Sequence, residues 1–329
     1  TSGDGLKWNY VVPTWGVNLH SITFHNGQFF AAGDNGTILT TADGTSWTAC
    51  ITNGSIQLNS IASGDSGVIA VGDSGHIIAS RDGKTWEPRS SGTQWDLFSI
   101  SYHDQYYCGG DTGLLLTSSD GNTWTKIQTE ITTPIFDIGY GNGRFAAAAG
   151  GRVAYSTDAR TWNVQSLTWP QSLSSVVYGG CYFVGVGGNG TIMTSLDAAS
   201  WTSQRAPLPR SLNSVIYESG LYVAVGSRDV IFTSQGQIRA KPGIPLAEVE
   251  FSRPLLRSLG SKVLLDLGQL QSHGVLHFSI FDLNGRCVLA QHVAPVKGAI
   301  SLRALPHGYY HLQIQDHARK ILSRLHVVR

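Results

Sequence analysis

The sequence repeats a short turn motif at a nearly constant interval. Five segments end in tryptophan and carry an aspartate four residues earlier: TADGTSW (41–47), SRDGKTW (80–86), SSDGNTW (118–124), STDARTW (156–162) and SLDAASW (195–201). The motif residues are Asp43, Asp82, Asp120, Asp158 and Asp197 with Trp47, Trp86, Trp124, Trp162 and Trp201, and successive tryptophans lie 39, 38, 38 and 39 residues apart. A fixed period of about 40 residues indicates one supersecondary unit that is repeated and packs against its neighbours.

Each period contains four strand-like pieces. An alternating run such as LHSITFH (19–25) precedes an apolar run such as QFFAAG (28–33), and a glycine turn such as GDNG (33–36) leads to a third run. The aspartate motif ends that run, and its tryptophan begins the fourth. Four short antiparallel strands per repeat predict the blade of a β-propeller. The 39 glycines and the low charged content of 14% fit many short strands joined by tight turns.

The aspartate motif has a simple local explanation. Its carboxylate can accept hydrogen bonds from backbone N–H groups of the turn, its glycine accommodates a positive φ, and its tryptophan buries a large ring between adjacent blades. Ala159 and Ala198 replace the glycine in two repeats, so we expect ordinary φ values at those two positions. On this interpretation the aspartates are structural.

The two ends of the repeat array complement each other. A sixth unit begins at Leu212 and has no tryptophan strand, because prolines interrupt the chain after Gly236. At the other end, SGDGLKW (2–8) contains the motif residues Asp4 and Trp8. We predict that residues 6–12 supply the outer strand of the sixth blade and remove its exposed edge; a truncated extra blade is the alternative. The predicted fold is all-β, with a six-bladed propeller over residues 1–240.

The motifs carry a resemblance to known repeats. The Ser/Thr-x-Asp…Trp turns resemble the Asp-box (BNR-like) repeats of sialidases and other secreted propellers, and the blades resemble propellers of the photosystem II assembly-factor type. The resemblance covers about residues 2–236. It implies the fold but not an activity, because the Asp boxes of that family lie away from the catalytic face.

The period disappears after a linker at residues 241–250. Strand-like runs with turn residues between them predict a small Ig-like β-sandwich over residues 251–329. The runs FSIFDLNGRCV (278–288), LRALPHGYYHLQIQ (302–315) and KILSRLHVV (320–328) resemble the C-terminal sorting domain of type IX secretion cargo. That resemblance implies export by a Bacteroidetes-like or Fibrobacter-like bacterium. We therefore expect a secreted or cell-surface protein whose signal peptide has been removed, with no apolar run long enough to span a membrane.

Charge is divided unevenly along the chain. Residues 1–250 contain 13 Lys/Arg and 19 Asp/Glu, a balance of −6, whereas residues 251–329 contain 10 and 3, a balance of +7. Opposite charges predict attraction between the two parts, within one molecule or between copies, and an acidic propeller argues against nucleic acid as a partner. The cysteines Cys50, Cys108, Cys181 and Cys287 have no C-x-x-C spacing, so we expect mostly free, buried thiols, no metal site and no cofactor.

No catalytic constellation is recognisable, so we predict no catalytic residue and leave enzymatic activity as an open question. A sialidase would need an early Arg-Ile-Pro-type motif, which is missing. A glycosidase needs two carboxylates about 5–10 Å apart, and the candidates outside the motif are Asp34, Asp73, Asp96, Asp111, Asp137 and Asp229. Asp34, Asp73 and Asp111 occupy equivalent GDNG, GDSG and GDTG turns, which favours a turn-forming role.

The clearest binding signal is aromatic. Trp15, Trp95 and Trp169 lie outside the repeated motif, each in a loop that enters the first strand of a blade. Those loops are expected on the face opposite the Asp boxes, where indole rings could stack on sugars or anchor a protein. The alternative is that each ring fills the gap between two blades.

Three functional hypotheses remain. The favoured one is a non-enzymatic structural or adhesive protein that self-associates through the propeller and the C-terminal domain, into a filament or layer. The alternative is a lectin-like propeller that binds extracellular polysaccharide through its tryptophans, and the second alternative is a divergent glycoside-active enzyme.

Overall fold

The structure is a computed structural model. It describes residues 16–52, 54–166, 172–205, 209–218, 220–227 and 230–234, together with the backbone of seven strands between residues 256 and 327. The predicted outer strand at 6–12 and the predicted linker at 241–250 lie outside the described residues. No helix in the described part of the chain is long and apolar enough to cross a membrane.

Six antiparallel sheets follow one another in the first part of the chain and form a six-bladed propeller. Blade one contains β1 (Leu19–His25), β2 (Gln28–Gly33), β3 (Ile38–Thr41) and β4 (Thr48–Ala49). Blade two contains β5 (Leu58–Gly64), β6 (Gly67–Gly72), β7 (Ile77–Ser80) and β8 (Glu87–Arg89). Blade three contains β9 (Leu97–Tyr102), β10 (Tyr106–Gly110), β11 (Leu115–Ser118) and β12 (Thr125–Ile127).

The later blades continue the same order. Blade four contains β13 (Asp137–Gly141), β14 (Arg144–Ala149), β15 (Arg152–Ser156) and β16 (Asn163–Ser166). Blade five contains β17 (Leu173–Gly179), β18 (Tyr182–Gly187), β19 (Thr191–Ser195) and β20 (Thr202–Arg205). Blade six has three described strands, β21 (Leu212–Glu218), β22 (Leu221–Gly226) and β23 (Val230–Ser234). The all-β, six-bladed prediction is confirmed, whereas closure of the ring by the N-terminal strand stays a prediction.

Packing between blades explains why the second strand of each blade is mostly apolar. Every residue of β6 is buried, because a central strand has a sheet neighbour on each side and another blade against each face. The motif tryptophans pack between adjacent blades. Trp86 is 6% exposed and its ring centroid lies 6.3 Å from that of Phe30 in blade one, and Trp162 is equally buried in a cluster that reaches Tyr107 of blade three.

The aspartate turns share one hydrogen-bond pattern. In blade two, the Asp82 Oδ1 accepts hydrogen bonds from the N–H groups of Lys84 and Thr85, both at 2.8 Å, and from the Ser80 hydroxyl at 3.1 Å. Asp43, Asp120, Asp158 and Asp197 accept the equivalent bonds in their own blades. We call these five connections the Asp turns; the predicted equivalents Asp4 and Trp8 lie outside the described residues.

The expectation of ordinary φ values at the two alanines is wrong. Ala159 has φ 57° and Ala198 has φ 59°, close to the 71° of Gly83 at the same position of its turn. The two N–H groups bonded to the aspartate fix the path of the turn, so the residue after the aspartate adopts the left-handed conformation whatever its side chain. An alanine there carries a strain of about 1 kcal/mol.

The turn between the second and third strands brings two stretches of backbone together. The Asp73 N–H donates to the Gln57 carbonyl at 3.1 Å, just before the first strand of the same blade. A Cβ on Gly72 would collide with that carbonyl oxygen. The corresponding bonds in the other blades are Asp34 N–H to Asn18, Asp111 N–H to Asp96, Gly188 N–H to Ser172 and Ser227 N–H to Ser211. The repeated glycine is therefore required by close approach of the backbone.

The cysteines differ from expectation at one position. Cys50 and Cys108 are free, and Cys108 is buried, as predicted. Cys181 is disulfide-bonded, so the prediction of mostly free thiols is wrong for this residue. A disulfide persists in an oxidising extracellular compartment.

The C-terminal part contains two antiparallel sheets. One has the order β24 (Leu256–Leu259), β25 (Lys262–Leu265), β28 (Ala299–Ser301), and the other has the order β27 (Cys287–Val293), β26 (Leu276–Phe281), β29 (Gly308–Gln315), β30 (Lys320–Val327). The predicted all-β character is present. The packing of two sheets that would define an Ig-like sandwich stays a prediction.

The close approach at Gly72 gives a direct test. We expect Gly72→Ala to lower the free energy of unfolding of the propeller by about 3 kcal/mol, because the new methyl group has no space. Gly54→Ala is the matched control, since a Cβ there meets only ordinary contacts at 3.8 Å, and it should change stability by less than about 0.5 kcal/mol. Urea unfolding followed by tryptophan fluorescence measures both; equal midpoints would contradict the assignment.

Candidate functional site

The meander of each blade divides its connections between two faces. Because successive strands run in opposite directions, the first-to-second hairpin and the Asp turn leave at one end, and we call this end the Asp-turn face. The second-to-third turn and the loop entering the next blade leave at the other end, which we call the entry face. The entry face includes the turns Asp34–Gly36, Asp73–Gly75, Asp111–Gly113 and Gly188–Gly190.

Carboxylates gather on the entry face of blades one to three. The Asp34 Oδ2 accepts hydrogen bonds from the Asn18 N–H at 3.2 Å and from its side-chain amide at 2.8 Å, and Oδ1 lies 2.7 Å from His20 Nε2. These contacts, the His20 bond foremost, lower the pKa of Asp34. The Asp73 Oδ1 accepts a hydrogen bond from the Asn59 amide at 2.8 Å. Both carboxylates bind the start of the first strand rather than capping their own turns.

Blade three adds two more carboxylates beside an exposed tryptophan. The Asp96 Oδ1 accepts a hydrogen bond from the Ser74 N–H of blade two at 2.8 Å, and the Asp96 carbonyl accepts one from the Asp111 N–H at 3.0 Å. The adjacent Trp95 is 53% exposed, while its N–H donates to Thr93 Oγ1 at 3.1 Å. The loop is thus anchored at its backbone and leaves an indole ring in solvent.

Of the three tryptophans predicted to form a binding surface, only Trp95 lies within the described residues. Trp95 lies on the entry face, whereas Trp15 and Trp169 lie outside the described residues. Asp34, Asp73, Asp96 and Asp111 accompany Trp95, and the nearby His76 has its pKa lowered by burial. A neutral His76 leaves the four carboxylates to dominate the charge of this region. Blades one to three therefore present an acidic entry face around one exposed indole.

The carboxylates of the Asp turns are bonded to the backbone of their own turns, unlike those of the entry face. Hydrogen bonds from turn N–H groups lower the pKa of Asp82 to about 2, and those from Thr161 and Arg160 do the same for Asp158. These groups stay ionised at neutral pH and have their Oδ1 atoms occupied by their own turns. Within the described residues, no group of three or more His, Cys, Asp or Glu side chains could hold a metal ion.

Asp137 interrupts a series of serines on the inner strands. The Ser21, Ser60 and Ser175 hydroxyls each accept a hydrogen bond at 3.2 Å from the first-strand backbone of the next blade. At the equivalent position of blade four, the Asp137 Oδ2 accepts hydrogen bonds from the Ser175 hydroxyl at 2.7 Å and the Val176 N–H at 2.9 Å. Burial raises the pKa of Asp137. This carboxylate joins two blades, and no second carboxylate accompanies it in these contacts.

One cavity was not predicted from the sequence. It lies on the Asp-turn face between blades three and four, has a volume of about 760 Å³, and is lined by Tyr102, His103 and Tyr140 among others. Its residues come from two hairpins and one Asp turn, so no single stretch of sequence contains the signal. The only hint was the aromatic run in HDQYY (103–107).

Comparison with protein families gives two matches, each over part of the chain. Residues 1–98 match the DUF6242 beta propeller domain, and residues 262–328 match the secretion system C-terminal sorting domain. Each match covers less than half of the chain, and each is a similarity of those residues to the family. Neither match establishes Asp-box or BNR repeats, so that part of the resemblance stays a prediction. No curated protein matches the sequence.

Solved structures share the propeller fold of this chain at low identity. YCF48 bound to a D1 peptide is 14% identical with a TM-score of 0.57, over 71% of this chain and 84% of that one. PorZ of Porphyromonas gingivalis, a surface component of the type IX secretion system, is 14% identical with a TM-score of 0.51, over 95% of this chain and 51% of that one. The match to the secretion sorting domain points to a secreted or cell-surface protein.

Replacing Asp137 by the serine found in the other blades tests its role. Because the folded-state pKa of Asp137 is raised, the unfolded chain loses the proton first, and stability falls as the pH rises from about 4 through the folded pKa. Serine does not titrate there. We expect Asp137→Ser to be more stable than the parent at pH 7, by a margin that shrinks towards pH 4. Urea unfolding at several pH values measures the margin; a margin independent of pH would contradict this account.

Proposed function

We propose that this chain is a secreted or cell-surface, non-enzymatic structural or adhesive protein that self-associates. The proposal includes prior removal of a signal peptide. Its acidic entry face is the first contact surface, and the basic residues 251–329 of another copy are the second. The observation that carries the proposal is the gathering of Asp34, Asp73, Asp96 and Asp111 on one face of blades one to three.

The charge balance supports this pairing. The C-terminal residues carry an excess of seven positive charges, opposite in sign to the excess of six negative charges in residues 1–250. A contact between two different surfaces of identical chains is heterologous, so it propagates into a ring, a filament or a layer. Such a contact is electrostatic and solvent-exposed, and salt therefore weakens it.

Light scattering of the full chain at low and high salt tests self-association. We expect assemblies at low salt that dissociate at high salt. The double variant Asp73→Asn/Asp111→Asn should weaken association about tenfold, because it removes two half-buried surface charges worth up to about 1 kcal/mol each. Asp104→Asn removes one exposed charge from the Asp-turn face and should have no effect. A monomer under all conditions would refute the proposal, as would assembly that the double variant leaves unchanged.

The exposed Trp95 supports a second candidate, a lectin-like propeller. Its indole ring is half exposed on an anchored loop beside Asp96, an arrangement that suits stacking on a pyranose of an extracellular polysaccharide. Trp15 and Trp169 belong to the same candidate set. Loss of polysaccharide binding in Trp95→Ala would favour this candidate over self-association. No contact among the described residues favours the third hypothesis, a glycoside-active enzyme.

We also propose that the N-terminal strand closes the ring. In five blades, the residue three before the motif aspartate pairs with the residue five after it: Thr40 with Thr48, Ala79 with Glu87, Thr117 with Thr125, Tyr155 with Asn163 and Thr194 with Thr202. In blade six the described edge strand β23 ends at Ser234, which follows Ser195 by one period of 39 residues. If Asp4 is the motif aspartate of blade six and Ser234 takes the position of Ser195, the same offsets pair Thr233 with Asn9.

An engineered disulfide tests that register. We expect Asn9→Cys/Thr233→Cys to form a cross-link under mild oxidation, detected as a linked peptide by mass spectrometry, because paired strand residues have suitable Cα separations. Tyr10→Cys/Thr233→Cys is the control, since a shift of one residue turns the side chain to the other face of the sheet. Cross-linking in the control but not in the first variant would contradict the proposed closure.

A further inference from the structure

The cavity between blades three and four has an aromatic wall. The ring centroids of Tyr140 and Phe145 lie 4.5 Å apart, those of Tyr107 and Phe145 lie 4.9 Å apart, and those of His103 and Tyr140 lie 5.3 Å apart. Phe145 is only 5% exposed, whereas Tyr140 is 40% exposed. The Tyr140 ring therefore packs against the buried Phe145 ring and exposes part of its own surface to solvent.

Polar groups of fixed position surround this wall. The Tyr107 hydroxyl donates to Asp104 Oδ1 at 3.0 Å and accepts a hydrogen bond from the Gln105 amide at 3.1 Å, so the three side chains brace one another. Arg160 lines the opposite side, where the blade-four Asp turn fixes its backbone through the bond from its N–H to Asp158 Oδ1 at 2.8 Å. The cavity thus combines hydrogen-bond acceptors and donors around an aromatic surface.

His103 adds a group that lacks a partner. Burial lowers the pKa of His103, so its ring is neutral at neutral pH. Its Nε2 atom is buried and has no hydrogen-bond partner among the described residues. A buried polar atom without a partner is unfavourable, and His103 lines the cavity, so a small adjustment of the ring would let Nε2 meet a hydroxyl group there.

We propose that this cavity is a saccharide-binding site, in which a pyranose ring stacks on Tyr140 and its hydroxyls bond to Asp104 and Arg160. The site goes beyond the proposed self-association and lies on the face opposite to Trp95. A sugar fits better than a cation for two reasons. Asp158 Oδ1 is already occupied by three donors, and the lining contains the positive charge of Arg160 as well as the negative charge of Asp104.

The volume is compatible with this ligand class. A cavity of about 760 Å³ falls within the range of about 300–1,000 Å³ typical of small-molecule sites. Aromatic rings give contact with the apolar faces of a pyranose, while rigid polar side chains select the orientation of its hydroxyls. An entirely apolar ligand would desolvate Arg160 and Asp104 without adding a hydrogen bond to either side chain, which is unfavourable.

Saturation-transfer difference NMR on the full chain tests the site. The probes are glucose, galactose, mannose, N-acetylglucosamine, lactose and cellobiose. We expect at least one to bind, and Tyr140→Ala to weaken its binding about tenfold or more. Tyr140→Phe keeps the ring and should retain binding. Phe24→Ala removes an exposed aromatic side chain from blade one, is the matched control and should also retain it. Circular dichroism checks that the variants fold.

Three results would overturn the saccharide site. The first is that none of the six sugars binds the full chain. The second is that binding is lost in Trp95→Ala and retained in Tyr140→Ala, which would transfer the sugar site to the entry face. The third is that N-acetyl-lysine methylamide binds more tightly than every sugar, which would make the cavity a site for cationic side chains. None of these results depends on self-association, which light scattering measures separately.

Discussion

A backbone contact repeated in five of the six blades positions much of this propeller. The N–H at the start of the second-to-third turn donates to a carbonyl just before the first strand of the same blade, as Asp73 does to Gln57. The contact requires glycine at the preceding position, where a side chain has no space. It ties the turn to the loop that enters the same blade, so the carboxylates and Trp95 of the entry face are carried by backbone that cannot move independently.

The residues that differ between blades are better candidates for function than the residues that recur in every blade. The five Asp turns have their carboxylates bonded to their own backbone, which suits a structural role. The features that differ between blades are Asp137 among serines, Trp95 on an anchored loop and the aromatic hairpins around Tyr140. The repeat explains the residues that recur in every blade, but it does not explain these three features. Each of them has a contact or an exposure that the other blades lack.

The periodicity was enough to predict the class of fold, the six blades and the strand order, because register and burial recur with the motif. It was not enough at Ala159 and Ala198, whose positive φ values are set by hydrogen bonds to the aspartate and not by their own preferences. The cavity was also missed, because His103, Tyr140 and Arg160 belong to three connections in two blades. Only the packing of blade three against blade four brings their side chains together. Contacts between loops that are far apart in the sequence leave no recognisable motif in it.

The two candidate surfaces are far enough apart to work independently. Trp95 lies two residues before β9 and Tyr102 is the last residue of that strand, so the length of the six-residue strand lies between the two sites, about 20 Å at 3.3 Å per residue. One monosaccharide cannot span that distance, so the entry face and the cavity cannot share a small ligand. Self-association through the acidic entry face and sugar binding in the cavity would therefore use different residues of the same propeller.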